Sequence, residues 1–370
     1  MFWFIFTLLS LLFAYLGSEN NTLIKNKSIQ VLFQILLIIT ISYPIAFGGE
    51  NYIDHEGYIN HYNNINYYSI SFENIGLNIS SERDQGIELG FLLLNKLCYW
   101  LGFADIGFLF VIALITNTLF IKFLYRFEHP VFNILVFITS GPYWQECNLI
   151  RQMIACAIIC YSLKFLLDKK IVKYIIGVIC AALIHTSAML LLVFVIFAYI
   201  DVKKYYKKIN IGLLLLWFLS ILVSLGVLSF NLSEIDLFNF YDMYFTNENK
   251  VGNQVGIYAL YYNLCLILFF ILFDKSKFER YYIYIIFFIL GGVFTNFSVT
   301  IPNFYRISLY FSITNVLMLS TFLKSVAKTK FYQVSNVVLV VLAIYFSNLV
   351  AVKIITNSNP ITNSLTEIFK

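Results

Sequence analysis

Charge is what this chain has least of. Only 12% of its 370 residues are charged, against 60% hydrophobic and 19% aromatic, and its mean hydropathy is +0.79. A soluble domain needs more polar surface than this, so the balance excludes one. The phosphate-binding loops G-x-x-x-x-G-K-[S/T] and G-x-G-x-x-G are missing, as is the nucleophile elbow G-x-S-x-G. No Ser/His/Asp set stands at a family spacing. These absences argue against an ATP-driven machine and against a serine hydrolase. There is no C-x-x-C and no His/Cys ligand spacing. Cys98, Cys147, Cys156, Cys160, Cys180 and Cys265 fall mostly inside apolar runs and read as small packing residues. The first residues, M-F-W-F-I-F, have neither a basic leader nor a small-residue cleavage site, and read as a first membrane helix. The net charge of +5 is no nucleic-acid signature, because the lysines sit in short clusters between apolar runs.

What the chain has in abundance is long apolar runs. A hydrocarbon core of about 30 Å takes roughly 20 apolar residues per helix. Unpaired backbone cannot face lipid, so repeated runs of that length predict a helical bundle; a β-barrel would show short alternating segments. Candidate spans are 2–16, 29–47, 104–125, 130–147, 149–167, 209–230, 256–273, 281–297, 303–323 and 334–352. The expected fold is all-α, one integral membrane domain over 1–370, with about 10–12 spans plus short re-entrant helices.

Loop charges set the orientation. Lys25 and Lys27, Lys122 and Arg126, the cluster Lys164 to Lys173, the cluster Lys203 to Lys208, Lys275 to Arg280 and Lys324 to Lys330 belong on the cytoplasmic side by the positive-inside rule. The outer loops are then 48–86 and 231–255. Residues 171–200 carry basic clusters at both ends, and about 30 residues is too long for one span and too short for two. A hairpin of two short helices is expected, turning at His185-Thr186-Ser187. Residues 87–101 must begin and end outside, as a re-entrant or interfacial helix.

This map collects Asp54, Glu88, Arg151, His185 and Arg306 at the outer end of the bundle, as a cavity open to that side would. Arg151 heads an apolar run in Q-E-C-N-L-I-R-Q-M-I-A, where Asn148, Arg151, Gln152 and Ala155 share one helical face. A guanidinium there suits a phosphate, which it grips in bidentate fashion; the competing role is snorkelling to the interface. Arg306, in I-P-N-F-Y-R-I-S, offers the same two readings, and two arginines at one depth would clamp a diphosphate. His185, in A-A-L-I-H-T-S-A, is a candidate base or phosphate ligand at a polar turn, or a packed histidine. In 51–68, Asp54, Tyr58 and Tyr62 recur at helical spacing, with His61 beside them. The density of Tyr and Asn suits stacking on pyranose rings, or an interfacial aromatic belt. Asp54-His55-Glu56 is too short a cluster to define a metal site. Glu88 opens an apolar helix, where a carboxylate also favours the helix N-terminus.

N-L-I-R-Q-M-I-A-C-A-I, a K-K turn and A-A-L-I-H-T-S-A-M-L-L together resemble the EpsG-like branch of the Wzy polysaccharide polymerases. Asp54-x-x-x-Tyr58, Glu88-x-Gly90-Phe91 with Leu94-Asn95, and Tyr305-Arg306 followed by Tyr310-Phe311 match further elements of that family. The resemblance runs in order over most of residues 54 to 311. Glu146-Cys147 follows no pattern of the family.

The resemblance implies a GT-C-like helical fold with no required metal or other cofactor. It implies polymerisation of O-antigen, capsule or exopolysaccharide repeat units at the outer face of the bacterial cytoplasmic membrane. Donor and acceptor would both be oligosaccharides on undecaprenyl pyrophosphate; a chain-length regulator is an open further partner. Arg151 and Arg306 would stabilise the leaving pyrophosphate. His185, Asp54 or Glu88 would take the acceptor proton. Asn148, Gln152, Tyr58, Tyr62 and Tyr305 would position sugar and phosphate. The rival readings are a flippase or transporter of lipid-linked sugars, which shares the substrate, and an O-acetyltransferase or lipid-to-acceptor ligase, of which the ligase shares the lipid pyrophosphate leaving group. A transporter should line both faces near the midplane with charge, and here the charges gather at one.

Overall fold

The computed structural model describes residues 2–19, 21–47, 54–67, 87–127, 129–139, 141–227, 254–272, 278–301 and 304–317. The candidate span 334–352, most of the outer loops 48–86 and 231–255, and Pro302 lie outside them. Among the described residues every regular element is a helix. In chain order they are α1 (Phe2–Leu16), α2 (Lys27–Phe47), α3 (His55–Asn63), a 3₁₀ turn (Ile65–Tyr67), α4 (Leu89–Trp100), α5 (Asp105–Leu124), α6 (Pro130–Ile138), α7 (Gly141–Gln145), α8 (Ile150–Leu167) and α9 (Ile171–Ile184). A 3₁₀ helix (Thr186–Ala198), α10 (Val202–Ser224), α11 (Gln254–Leu272), α12 (Phe278–Phe297) and α13 (Phe304–Ser312) follow. Among the described residues α2, α5, α8 and the stretch Lys207–Ser224 of α10 are long and apolar enough to cross a membrane. Shorter apolar helices add Phe4–Leu16, Ile171–Ile184, Thr186–Ala198 and Tyr281–Phe297.

The described residues form two units, one within 1–195 and one within 196–333. In the first, α8 packs against both α5 and α9, α5 against α2, and α2 against α1. α8 is apolar nearly all round and buries residues on every side, from Met153 and Cys156 to Leu163 and Leu166, as a central helix does. Lipid supplies no hydrophobic drive between helices, so close packing and cross-helix hydrogen bonds hold them. Tyrosine hydroxyls reach main-chain carbonyls of other elements: Tyr125 to Ala14 at 3.0 Å, Tyr143 to Ile41 at 2.7 Å and Tyr174 to Leu191 at 2.8 Å. In the second unit α12 packs on α10, α11 and α13. A closed amide network joins three of these helices. Trp217 Nε1 donates to Asn263 Oδ1 at 2.8 Å, Asn263 Nδ2 to Asn296 Oδ1 at 2.7 Å, and Asn296 Nδ2 to Ser220 Oγ at 2.9 Å.

Three local features differ from or sharpen the sequence reading. The run 130–147 is not one helix. α6 ends at Ile138 and α7 begins at Gly141; Pro142 has no N–H to continue the ladder and restricts the residue before it, while it suits the start of a new helix. α4 stops in a Schellman motif. Gly102 takes φ +80°, and Gly102 N–H and Phe103 N–H donate back to Tyr99 O and Cys98 O, which turns the chain directly into α5. Finally, the chain doubles back at His185. Along a straight rod Tyr174 and Leu191 would stand roughly 25–30 Å apart at 1.5–2.0 Å per residue, yet they share a hydrogen bond. His185 itself is extended, with φ −153° and ψ 111°.

Candidate functional site

α9, which ends at the His185 turn, packs beside α4. Gly90 makes the approach possible: a Cβ there would lie 2.7 Å from Leu183 O and 2.9 Å from Leu183 C. Any larger residue would push α4 off the α9 backbone. The residue two before Gly90 is Glu88, the N-cap position of α4, with an extended backbone and no side-chain bond to its own helix. A carboxylate at an N-cap normally accepts from the first turn. Glu88 instead reaches across the bundle.

Its two oxygens have different partners. Oε2 accepts from Arg151 Nη1 at 2.7 Å. Oε1 accepts from His185 Nδ1 at 3.0 Å and from the Thr186 main-chain N–H at 3.2 Å. One carboxylate therefore joins α4, the first turn of α8 and the turn after α9. The side chains are 9% exposed for Glu88, 27% for Arg151 and 20% for His185, so the cluster is sheltered but reachable. Burial pushes the Glu88 pKa up, while the His185 hydrogen bond and the Arg151 charge pull it down and prevail. It settles below the ordinary carboxylate value, and Glu88 is ionised at neutral pH. An ionised carboxylate only accepts, so His185 carries its hydrogen on Nδ1, and in the neutral ring Nε2 is the acceptor.

α3 covers the other side of Arg151. The guanidinium carbon lies 6.0 Å from the ring centroids of Tyr58 and of Phe91, and the Tyr58 phenol is hydrogen-bonded to Arg151. Burial raises the Tyr58 pKa, and Arg151 only partly offsets this. His61, one turn further on, is pushed down to about 4 by burial and by the Arg151 charge.

The sequence candidates thus divide. Glu88, Arg151, His185 and Tyr58 meet. Asp54 stands at the start of α3, near enough for its charge to act on Tyr58; no ion pair or side-chain hydrogen bond ties it to the cluster among the described residues. Asn148 is not on the α8 face, because α8 begins at Ile150 after a break at Leu149; it is half-buried in the preceding turn. Gln152 follows Arg151 but is buried in the core. Tyr62 is 2% exposed, stacks on Phe108 at 4.3 Å and donates its hydroxyl to Phe103 O at 2.6 Å, which makes it a packing residue. Tyr305 and Arg306 stand on α13 in the second unit, Arg306 on an exposed side. Gly90 and the Thr186 N–H are positioning elements to which sequence reasoning gave no role. Gly90 appeared there only as part of a motif, and a main-chain donor leaves no mark on residue type.

An all-helical chain of this hydropathy, with a carboxylate, a guanidinium and an imidazole sheltered together inside the bundle, is a multi-pass membrane protein with a polar site. The profile of the EpsG family matches residues 31–366, and the chain belongs to the EpsG family. That membership supports a role in polysaccharide polymerisation, of glycosyltransferase type. No curated protein and no solved structure matches the chain.

Proposed function

We propose that the chain polymerises oligosaccharide repeat units carried on undecaprenyl pyrophosphate, at the outer face of the cytoplasmic membrane. The observation that carries this reading is the single ionised carboxylate that orients both a guanidinium and an imidazole. An acceptor sugar hydroxyl attacks the anomeric carbon of the donor. The new glycosidic bond forms as the bond to the pyrophosphate oxygen breaks, and the lipid pyrophosphate departs with the bonding pair. His185 Nε2 takes the hydroxyl proton, and Glu88 on Nδ1 supports the imidazolium that results. Arg151, fixed by Glu88 and Tyr58, stabilises charge growing on the leaving pyrophosphate, and fixed charges of this kind need no reorganisation during reaction. Glu88 already accepts three hydrogen bonds, so it serves as a positioning residue and His185 as the base. Asn148 is a proposed contact to sugar and phosphate, and Asp54 a contact to the acceptor.

The test is reconstitution with defined lipid-linked repeat units. A ladder of polymer supports the reading. Translocation without polymer makes the protein a flippase, and transfer to a different acceptor makes it a ligase. Within a polymerising preparation, His185→Gln removes the base and is expected to lower the rate about 10²–10⁴-fold at normal protein level. An unchanged rate refutes the role of Nε2.

A further inference from the structure

A second buried carboxyl lies apart from this cluster. Glu146, in the turn between α7 and α8, is 3% exposed. Its Oε2 accepts from Asn117 Nδ2 at 3.0 Å, and the same amide nitrogen donates to Ser42 Oγ at 3.3 Å. The turn is thereby tied to α5 and α2. Glu146 Oε1 has no hydrogen-bond partner among the described residues. Glu146 borders a narrow cavity beneath α3 that His55 and Thr116 also line, together with apolar side chains such as Ile45, Ile150 and Met153. The cavity has room for about one water molecule.

The surroundings decide the protonation state. α3 presents His55, α5 presents Thr116 and Asn117, α2 presents Ser42 and Ile45, and α8 presents Ile150 and Met153. Among the described residues no lysine or arginine lines the cavity. Among the described residues an ionised carboxylate here would have one amide donor and no lysine or arginine beside it, and burying a charge so poorly matched costs several kcal/mol even after relaxation. A bound metal cation would relieve that charge, but among the described residues Glu146, His55 and Thr116 are the only polar side chains lining the cavity. Three such groups fall short of the six to eight oxygens a calcium ion takes. A neutral acid fits without penalty. Its carbonyl oxygen takes the Asn117 N–H, and its hydroxyl points into the cavity.

We propose that Glu146 is a proton-binding site, a neutral carboxylic acid that holds one water molecule in this cavity and through it meets His55 of α3. The water link fastens α3 to the bundle three residues before Tyr58, the residue that engages Arg151. It stands whether or not the chain polymerises glycans.

The test is infrared spectroscopy of the full-length protein in lipid nanodiscs at neutral pH, with ¹³C-labelled glutamate to single out the carboxyl bands. A protonated-carboxyl C=O band is expected in the wild type, shifted in D₂O and missing in Glu146→Gln. An amide copies the shape and donor of the neutral acid, so Glu146→Gln should melt with the wild type, while Glu146→Ala melts lower. The proposal is overturned by a wild type with no protonated glutamate band, by a band that survives in Glu146→Gln, or by a Gln variant as unstable as the Ala variant. Stabilisation of the wild type by added Na⁺ or Ca²⁺ that disappears in Glu146→Gln would also overturn it, because the site would then hold a metal cation.

Discussion

Replacing Glu88 by Gln tests whether one carboxylate organises the site. The amide keeps the length and shape of the side chain and removes its charge. In the wild type three donors converge on two oxygens: Arg151 Nη1, His185 Nδ1 and the Thr186 N–H. Gln has one oxygen. If it faces His185 and Thr186, its NH₂ meets the Arg151 Nη1 donor; if it faces Arg151, its NH₂ meets the Thr186 N–H. Neither rotamer satisfies all three. The charge-assisted bond to Arg151 at 2.7 Å is worth about 1.5–3 kcal/mol. Losing it also strands a guanidinium, although 27% exposure of that side chain lets water offset part of the penalty. The expected loss is therefore about 2–3 kcal/mol. Reversible unfolding of the detergent-solubilised protein in SDS would measure it. The double variant Glu88→Gln/Arg151→Gln removes both members of the pair, and should be less destabilised than the sum of the single variants by about 1–2 kcal/mol. Additivity to within about 0.5 kcal/mol would show that the two residues are not coupled and would refute the reasoning.

Other predictions follow from the same geometry. Arg151→Lys keeps the charge and loses the planar fork, so long-chain product should vanish at normal protein level; wild-type chain lengths on a glycan gel would sink the assignment. Gly90→Ala drives a methyl against Leu183 O and should destabilise by about 1–3 kcal/mol while separating Glu88 from His185, seen as a lower melting temperature together with lost activity. His61 has its pKa depressed from 6.5 to about 4. Above pH 6.5 it is neutral folded and unfolded alike. As pH falls from 6.5 towards 4 the unfolded chain takes up a proton that the folded one refuses, so stability should decline through that window. His61→Gln should flatten the decline in a pH series of melting curves.

The helical spans were legible because lipid leaves so little choice: an apolar run of adequate length becomes a helix, and α1, α2, α5 and α8 sit where the runs lie. The break at Gly141-Pro142 could also be read from residue type, but the apolar run masked it. Arg151, His185 and Glu88 each stood out as polar residues in apolar surroundings. Their union did not, because it depends on Gly90 admitting the α9 backbone and on the fold-back at His185, both of them tertiary facts. Tyr62 shows the converse. In a loop rich in Tyr and Asn it read as a sugar-stacking ring, yet its hydroxyl finds a main-chain carbonyl 41 positions away and its ring finds Phe108. Glu146 fitted no pattern because its amide partner lies 29 positions away, and the serine behind that amide a further 75.

The three-way junction at Glu88 also sets an order of events as the chain is made. Its guanidinium partner follows 63 residues later and its imidazole partner 97 residues later. At about 5–20 residues per second, the carboxylate leaves the ribosome several seconds before Arg151 and longer still before His185. Until Arg151 emerges, neither of the two side-chain partners it has in the folded chain has been made. The junction can therefore close only once the chain has been made through Thr186. The junction thus locks together segments made early and late in the first unit, and a chain halted before His185 would carry Glu88 and Arg151 without their third partner.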